Sequence, residues 1–249
     1  MERGDREAIA TLYAPGALEH GARVTLSEPA AHHARVRRLV EGTHVRLTSG
    51  TGAIAFGTIA LLAKNQLDVL VHEVRKVSAL PAIQLFVPVA DRDRMLWLAE
   101  KVTELGVTGW HPVVFHRSRS VSPRGEGPAF AEKVRARMVA ALEQSSGAWL
   151  PTIHPELEVA SLIASPPAGD RYLLDIEGVS LLEQEPHGSA SVILGPEGGL
   201  ELDERSRLAG SGWIPAKLAL TTLRFETAAI AATAVLRAML SRSPQAQEA

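Results

Sequence analysis

The segment from Val192 to Leu200, Val-Ile-Leu-Gly-Pro-Glu-Gly-Gly-Leu, joins an apolar run to a helix that we expect to begin near Glu201. Ligands of open α/β sheets bind outside the carboxyl ends of the strands, so this loop lies where a ligand is expected. Paired glycines let the backbone approach a ligand closely, and Pro196 stiffens the turn. The loop has no basic residue, which argues against a phosphate ligand, whereas Glu197 favours a ligand with positive or hydrogen-bond-donating character. The alternative is a strand–helix connection without function.

A second segment, from Leu218 to Ala229, also passes from a strand through a loop into a helix. Arg224 and Glu226 lie where the loop becomes the helix. A glutamate in the first turn stabilises the helix dipole, which is a purely structural interpretation. An arginine beside a ligand loop is also suited to stabilising negative charge that develops during a reaction. The helix is rich in alanine, which permits close packing against a neighbouring helix or chain.

A third pattern, Gly50 to Ala55, matches the G-x-G-x-x-A outline of a dinucleotide-binding turn, with Glu73 about twenty residues further on. The residues that follow the glycines are β-branched and aromatic rather than helix-forming, and the whole region is rich in predicted strands. We therefore interpret Gly50 to Ala55 as a hairpin turn. A nicotinamide-dependent enzyme that uses this turn is kept as an alternative hypothesis.

Composition removes several other classes of function. The 249-residue chain contains no cysteine, which excludes disulfides, zinc sites with cysteine ligands, iron–sulfur clusters and thiol catalysis. The N-terminus carries charges where a signal peptide needs an apolar region, and the longest apolar stretch, Ala228 to Leu236, is far shorter than the ~20 residues that span a bilayer. We expect a cytoplasmic protein that does not enter a membrane.

Basic side chains concentrate in one part of a chain whose formal net charge is only −2. The residues between His111 and Arg137 include Arg117, Arg119 and Arg124 and few acidic residues. This asymmetry is compatible with a local surface that contacts phosphates. A solvated helix face explains part of the same pattern equally well.

Two domains must position these segments. Up to about Val77 the chain alternates short strands with tight turns and has one helix-like stretch around Ala30 to Val40, which predicts a small closed β-domain. After Ser78 to Pro81, strands and helices alternate, which predicts a mostly parallel sheet covered by helices. The predicted strands there are Ile83–Val89, Trp110–Phe115, Tyr172–Ile176, Ser191–Leu194 and Trp213–Leu220, and the predicted helices follow Asp91, run from Glu126 to Gly147, begin near Glu201 and run from Thr227 to Leu240.

The order of several motifs along the chain resembles the ribosomal RNA small subunit methyltransferase E family of the SPOUT superfamily. The matching blocks are HHARVRRLVEG with the following Gly50-Thr51-Gly52, KVTELGV with the later Pro112 and Arg117-Ser118, EQS with Pro151, ILGPEGGL, and LR-x-ETA. The resemblance implies a PUA-like β-barrel over residues 1–78 and a trefoil-knotted α/β methyltransferase domain over residues 79–249. It also implies a homodimer that uses S-adenosyl-L-methionine, without a metal, to methylate N3 of a uridine in 16S rRNA of the small ribosomal subunit.

Site residues follow from matching those motifs position by position. The resemblance implies that the two loops, with the loop after Ile176 as a third wall, hold the cofactor. The cofactor-binding residues are then Leu174, Asp175, Leu194, Gly195, Pro196, Glu197, Gly198, Gly199, Leu218, Leu220, Thr222, Leu223, Thr227 and Ala228. We expect Arg224 to stabilise the uracil oxyanion, and Glu226 to orient Arg224 or to act as the general base.

The expected RNA contacts are basic residues from both domains, because the target base must be extruded while neighbouring phosphates are held. They are Arg35, Arg37, Arg38, Arg117, Arg119 and Arg124. The chain departs from the family pattern at Ala90, Gly147, Ala219, Thr221 and Phe225. These departures motivate two alternatives: a catalytically weak RNA-binding homologue, and a methyltransferase that acts on another RNA such as tRNA.

Overall fold

A computed structural model describes residues 10–120 and 122–242, without the side chains of residues 119 and 120. The chain forms two compact units. The first contains the chain up to Ala79 together with Val139–Leu150, and the second contains Leu80–Met138 and the chain from Pro151 onward. In the described ranges, no helix combines the length and the apolar character needed to cross a membrane.

The first unit is built on a curled five-stranded sheet, in the order β1-β3-β4-β5-β2. Its elements are β1 (Ala10–Tyr13), β2 (Arg23–Leu26), α1 (Glu28–Val36), β3 (His44–Thr48), β4 (Ala53–Leu62) and β5 (Leu67–Lys76). Strand β1 pairs with β3 in parallel, and the remaining pairs are antiparallel. Alternate residues of these strands, among them Leu12, Leu47, Ile59 and Val69, form one buried core with Ala31 and Ala34 of α1. Strand β1 was not predicted from the sequence.

The glycine-rich segment near residue 50 is a hairpin turn, which confirms our interpretation. Gly50 and Gly52 adopt positive φ angles of 74° and 92°, and Ser49 Oγ accepts hydrogen bonds from the backbone of Thr51 and Ala53. The next element is the antiparallel strand β4, not a helix. Because a dinucleotide cradle needs a helix N-terminus at this point, the nicotinamide hypothesis is wrong.

The end of helix α3 (Pro128–Ser145) and the residues after it belong to the first unit, although we expected them in the C-terminal domain. The Tyr13 amide donates a hydrogen bond to Glu143 Oε1 at 2.7 Å, and Thr48 Oγ1 donates to the Gly147 carbonyl at 2.9 Å. The sequence shows one continuous helix here and carries no signal for these bonds.

The second unit is a sheet in the order β12-β10-β11-β6-β7-β8, with β9 also paired to β7, and every pairing is parallel. This confirms the predicted α/β class. Its strands are β6 (Ile83–Pro88), β7 (Gly109–Val114), β8 (Thr152–Ile153), β9 (Leu157–Glu158), β10 (Asp170–Ser180), β11 (Ala190–Ile193) and β12 (Ile214–Lys217). Its helices are α2 (Arg92–Glu104), the first part of α3, α4 (Val159–Ala164), α5 (Leu202–Gly210) and α6 (Phe225–Arg242). Strands β8 and β9 and helix α4 are too short to have been predicted.

Strand β10 differs from its predicted form. We expected a strand that ends at Ile176 and a loop after it, but the strand continues to Ser180. Its register on β12 shifts between Leu174 and Val179, so the residues between them bulge out of the ladder. A bulge turns side chains away from the regular alternation of a strand, and the predicted third wall is therefore a bulge rather than a terminal loop.

Helix α2 begins and ends where the sequence predicts. Asp91 Oδ1 accepts hydrogen bonds from the amides of Asp93 and Arg94, at 3.1 and 3.0 Å, and Gly106 beyond the helix has a φ of 75°. Helix α6 packs against α2, and its Arg237 donates to the carbonyl oxygens of Pro81, Leu105 and Gly106. The bonds to Leu105 and Gly106 satisfy carbonyl groups at the end of α2, and the bond to Pro81 ties α6 to the segment before β6.

His111 of β7 lies in an apolar stack within the sheet. Its ring stacks on Phe86 at 4.3 Å and on His154 at 3.9 Å, and its Nε2 lies 2.7 Å from Gln84 Oε1. Burial, reinforced by the neighbouring His154, lowers the pKa of His111 to about 4. The neutral ring is therefore the form that the folded protein accommodates.

We expect the free energy of unfolding to decrease by about 2 kcal/mol as the pH falls from about 6.5 to about 4, after allowance for partial exposure of the ring. In this window the unfolded chain binds a proton at His111 that the folded chain excludes, and above it the contribution is complete. Urea unfolding across this range should show a flatter curve for His111→Phe than for wild type. The exposed His20→Gln control should keep the wild-type slope, and parallel curves for all three proteins would contradict the assignment.

Candidate functional site

The two predicted ligand loops meet at the carboxyl edge of the parallel sheet and share a cavity of about 590 Å³. Pro196 of the first loop and Thr222 of the second both line it, which confirms that the loops lie together. The residues expected at this site that line the cavity are Leu174, Asp175, Leu194, Gly195, Pro196, Glu197, Gly199, Leu218, Thr222, Leu223, Arg224 and Ala228. A volume of this size is typical of small-molecule sites.

Four of the expected residues are not on the cavity wall. Leu220 is 93% exposed and Thr227 is also exposed. Gly198 directs its carbonyl oxygen to Arg117, and Glu226 is buried behind the wall.

Sequence reasoning missed Arg94, together with several neighbours of the expected residues. The neighbours are Ile176, Leu200, Arg205, Ala216, Lys217, Ala219, Thr221 and Phe225. Arg94 lies about a hundred residues before the first loop in the chain, in the first turn of α2. The topology of the sheet is the feature that could have indicated Arg94. Helix α2 follows β6, and β6 pairs in parallel with β11. The start of α2 and the end of β11 therefore lie at the same sheet edge.

The first loop requires glycine for two separate reasons. Gly199 adopts a φ of 74° and its amide donates to the Pro196 carbonyl at 2.8 Å, which closes a tight turn. A Cβ on Gly195 would lie 3.2 Å from Leu200 Cγ, closer than ordinary contact. Small residues therefore bring the loop backbone to the cavity, while Leu194 supplies a buried apolar wall.

Ion pairs fix the β10 bulge next to the cavity. Arg205 of α5 contacts Asp175 Oδ2 and Glu177 Oε2, each at 2.6 Å. The Asp175 side chain is only 12% exposed, so its charge is compensated within the protein. One arginine thus holds two residues of the bulge against α5.

The basic segment after β7 is attached to the first loop. Arg117 Nε donates to Glu201 Oε1 at 2.8 Å, and Arg117 Nη1 donates to the Gly198 carbonyl. The His116 amide donates to Glu204 Oε1 at 2.9 Å, and Glu201 and Glu204 form the capping box of α5. The Arg117 guanidinium lowers the pKa of the Glu201 carboxyl. Arg117 therefore stabilises the loop, in addition to any contact with RNA.

The other arginines expected at RNA differ in their surroundings. Arg35 donates to the carbonyls of Ala63 and Lys64, and Arg124 pairs with Glu126 at 2.8 Å. Arg37 and Arg38 are exposed at the end of α1, close in the chain to the exposed Val36 and Val40. The side chain of Arg119 lies outside the described part of the chain.

Three charged side chains meet at one side of the cavity. Arg94 Nη1 contacts Glu197 Oε1, and Arg94 Nε lies 3.9 Å from Glu226 Oε1. The Glu226 side chain is 9% exposed, and its Oε2 has no hydrogen-bond partner in the described residues. Glu226, which we expected to orient Arg224, is thus paired with a different arginine. Arg224 itself lines the cavity just before α6.

A parallel sheet with a glycine-rich loop and a leucine-rich loop at its carboxyl edge, apolar walls and several charged groups defines an α/β protein that binds a small molecule of mixed polarity. Family comparison places it further. The RNA methyltransferase domain family matches residues 78–237, and the RNA methyltransferase PUA domain matches residues 26–71. The chain belongs to this family of RNA methyltransferases, which confirms the resemblance seen in the sequence and the fold class that it implies.

The sequences of individual relatives align with nearly the whole chain. Ribosomal RNA small subunit methyltransferase E of Rickettsia conorii is 25% identical over 237 residues, with 91% of this chain and 94% of that protein covered. The Bacillus subtilis protein of the same name is 25% identical over 235 residues, covering 88% and 91%.

Solved structures are similar over the same extent. The methyltransferase E of Neisseria gonorrhoeae bound to S-adenosyl methionine has a TM-score of 0.82 and 24% identity, covering 92% of this chain and 97% of that one. A predicted RNA methyltransferase from Thermotoga maritima has a TM-score of 0.71 and 27% identity, covering 93% and 99%.

The attachment of the first loop by Arg117 is testable without any ligand. In Arg117→Gln, we expect the pKa of Glu201 to rise toward its ordinary value, because the main charged donor to its carboxylate is removed. Carbon-13 NMR titration of the glutamate carboxyls measures this directly. Amide exchange at Gly198 and Gly199 should accelerate in the same variant.

The matched control is Arg207→Gln on α5, whose arginine pairs with Asp203 instead. It should leave the Glu201 titration and the loop exchange unchanged. An unshifted Glu201 in Arg117→Gln would disprove the attachment.

Proposed function

We propose that the protein is an S-adenosylmethionine-dependent rRNA methyltransferase that modifies N3 of a specific uridine in 16S rRNA of the small ribosomal subunit. The observation that carries this proposal is the shared cavity of the two loops, in a chain whose family is that of RNA methyltransferases. The names of the curated relatives support the ribosomal substrate, and the uridine N3 position comes from the resemblance of the motifs. The proposal divides the chain into two domains, residues 1–78 and 79–249, of which the second contributes Val139–Leu150 to the first compact unit.

The residues at the cavity fit a methyl donor of this kind. Leu194, Leu218 and Leu223 offer apolar surface to an adenine ring, and the loop backbone offers hydrogen bonds to its edge. Asp175 and Glu197, which Arg205 and Arg94 contact in the free protein, line the cavity as hydrogen-bond acceptors for the ammonium group. The bound group would supply an electrophilic methyl on sulfur.

Uracil must lose its weakly acidic imide N3–H proton, which passes to solvent water, and the protein must stabilise the charge that spreads onto O2 and O4. In this proposal Arg224, at the cavity wall, donates hydrogen bonds to that oxyanion. Alignment of donor and acceptor is worth up to about 7–11 kcal/mol in favourable cases, so positioning by the two loops is a large part of catalysis. Glu226 lies behind the wall beside Arg94, so we assign it the orientation of Arg94 rather than the role of proton acceptor.

Exposed basic residues of the first unit support RNA binding. Arg37 and Arg38 lie at the end of α1, where Arg38 has a φ of 56° and the Leu39 amide donates to the Ala34 carbonyl. This helix ending keeps both arginines at the surface, next in sequence to the apolar Val36 and Val40. Backbone phosphates and unstacked bases are suited to such a mixed surface.

A homodimer belongs to the same proposal. Several large apolar side chains of the second unit are exposed on or next to β10, α5 and β12: Ile176, Val179, Leu182, Leu202, Ile214 and Leu220. Contiguous exposed apolar surface on a globular protein favours an interface. The alanine-rich face of α6 is internal instead, because Ala229 and Ala232 are completely buried.

Mapping of methylated uridines in 16S rRNA, from cells with and without this protein, tests the proposed function. A single N3-methyluridine should disappear when the protein is absent and return when it is restored.

Calorimetry with S-adenosylmethionine, combined with tritium transfer to naked and subunit-bound rRNA, separates the alternative functions. Cofactor binding without transfer to any RNA would indicate the catalytically weak homologue, and transfer to tRNA alone would indicate another substrate.

Arg224→Ala should reduce the single-turnover rate of methyl transfer by about 100-fold or more while leaving S-adenosylmethionine affinity within about threefold, because the missing donor acts mainly on charge formed in the transition state. Rapid-quench kinetics and calorimetry measure the two quantities separately. An equal loss of both, or no change in either, would refute the role given to Arg224.

Replacement of both Arg37 and Arg38 by Gln should weaken RNA binding and reduce the slope of log affinity against log salt by about 0.7 for each phosphate that the variant no longer neutralises. Binding to an rRNA fragment between 50 and 300 mM salt measures that slope. The control Arg23→Gln changes another exposed arginine of the same unit, one that pairs with Asp68. Equal slopes for the wild type and the double variant would remove these residues from the RNA contact.

A further inference from the structure

Arg94 differs from the other arginines at the cavity because it joins two parts of the wall. Its guanidinium contacts Glu197 of the first loop and lies 3.9 Å from Glu226 in the first turn of α6. Arg205, by contrast, is held by the two carboxylates of the β10 bulge. Arg94 therefore presents positive charge between the two flanks of the cavity, and it lines the cavity itself.

The two carboxylate partners of Arg94 differ in their exposure to solvent. The Glu226 side chain is 9% exposed, so its charge is costly without a nearby cation. The Glu197 side chain is 42% exposed on a glycine-containing loop, and ion pairs at such exposure contribute little to stability. Glu226 is thus a permanent partner of Arg94, whereas Glu197 is easily exchanged for another anion.

The exchange would allow a new hydrogen bond to the unpartnered oxygen of Glu226. Glu226 Oε2 is buried and receives no hydrogen bond from any described residue. A buried carboxylate oxygen without a donor is unfavourable. If the guanidinium leaves Glu197, those of its N–H groups that do not contact the substrate are free to approach Glu226. A hydrogen bond to Glu226 would then partly compensate for the lost ion pair with Glu197.

We propose that Arg94 is a substrate-contacting residue, and that Glu197 occupies, in the absence of RNA, the place of a negatively charged oxygen of the target nucleotide. On RNA binding, Arg94 exchanges Glu197 for that oxygen, and Glu226 keeps the guanidinium oriented. This inference rests on the proposed function, and it places a second guanidinium, in addition to Arg224, at the target nucleotide.

The two ends of the ion pair predict effects of opposite sign. Arg94→Gln should slow single-turnover methyl transfer or weaken RNA binding by about tenfold or more, because a charge-assisted hydrogen bond is removed. Measured without S-adenosylmethionine, Glu197→Gln should strengthen RNA binding by about two- to fivefold, because it removes the competitor for the guanidinium. A purely structural pair would make both variants less active and less stable.

Arg94→Lys tests orientation by Glu226. Lysine keeps the charge but lacks the planar fork of donors that can contact Glu226 and substrate together. It should recover part of the RNA affinity and little of the transfer rate. Arg207→Gln, which removes an exposed arginine of α5 away from the cavity, is the matched control for net charge and should change neither quantity.

Salt dependence distinguishes the two possible sources of the oxygen. A backbone phosphate contact predicts that Arg94→Gln lowers the salt slope of RNA binding by about 0.7. A contact to the uracil oxygens predicts an unchanged slope with a slower chemical step. Either result supports the exchange, provided that Glu197→Gln binds RNA more tightly in the absence of cofactor and that S-adenosylmethionine affinity stays within about threefold in Arg94→Gln and Arg94→Lys.

The inference is overturned if Glu197→Gln weakens RNA binding, or if Arg94→Gln leaves both RNA binding and the transfer rate as in wild type. Parallel losses of thermal stability and cofactor binding in both variants would also overturn it, since they identify a structural pair. Failure of the proposed function looks different: the wild-type protein itself would then transfer no methyl group to 16S rRNA.

Discussion

The parallel pairing of β10, β11 and β6 is the constraint on which the cavity depends. Because these strands run in one direction, the bulge of β10, the loop after β11 and the start of α2 all lie at one sheet edge. Strand β11 is buried along its whole length, so a shift of its register would expose apolar residues and separate the loops. The loops supply the residues that line the cavity, but the strand order of the sheet determines which loops lie together.

Three arginines from other elements hold the walls that the sheet brings together. Arg205 holds the β10 bulge, Arg117 holds the first loop, and Arg94 links that loop to the start of α6. The guanidinium groups of these three arginines are therefore engaged by partners within the protein. The sequence pattern that predicted Arg117 at RNA carried no signal for its bonds to the first loop, whereas Arg37 and Arg38 are exposed.

The sequence was sufficient for features that follow from local pattern. Alternating strands and helices predicted the parallel sheet, Asp91 and Gly106 delimited α2, and the strand–loop–helix pattern of the two ligand loops placed both at one sheet edge. It was insufficient where tertiary pairing decides. The bulge in β10 depends on β12, the partner of Glu226 is an arginine about 130 residues away in the chain, and the very short β8 and β9 exist only because β7 is available for pairing.

Helix α3 carries a consequence for how the chain is made. The first unit lacks the partners of Tyr13 and Thr48 until Glu143 and Gly147 are present. Domains fold in order as they are synthesised, yet this one cannot complete its hydrogen bonds until the chain has been extended to about residue 150. By then β6, α2 and β7 have already been translated. The hydrogen bonds of the amino-terminal unit are thus completed late during translation. A gene fragment that stops near residue 78 would encode a sheet without the bonds from Tyr13 to Glu143 and from Thr48 to Gly147.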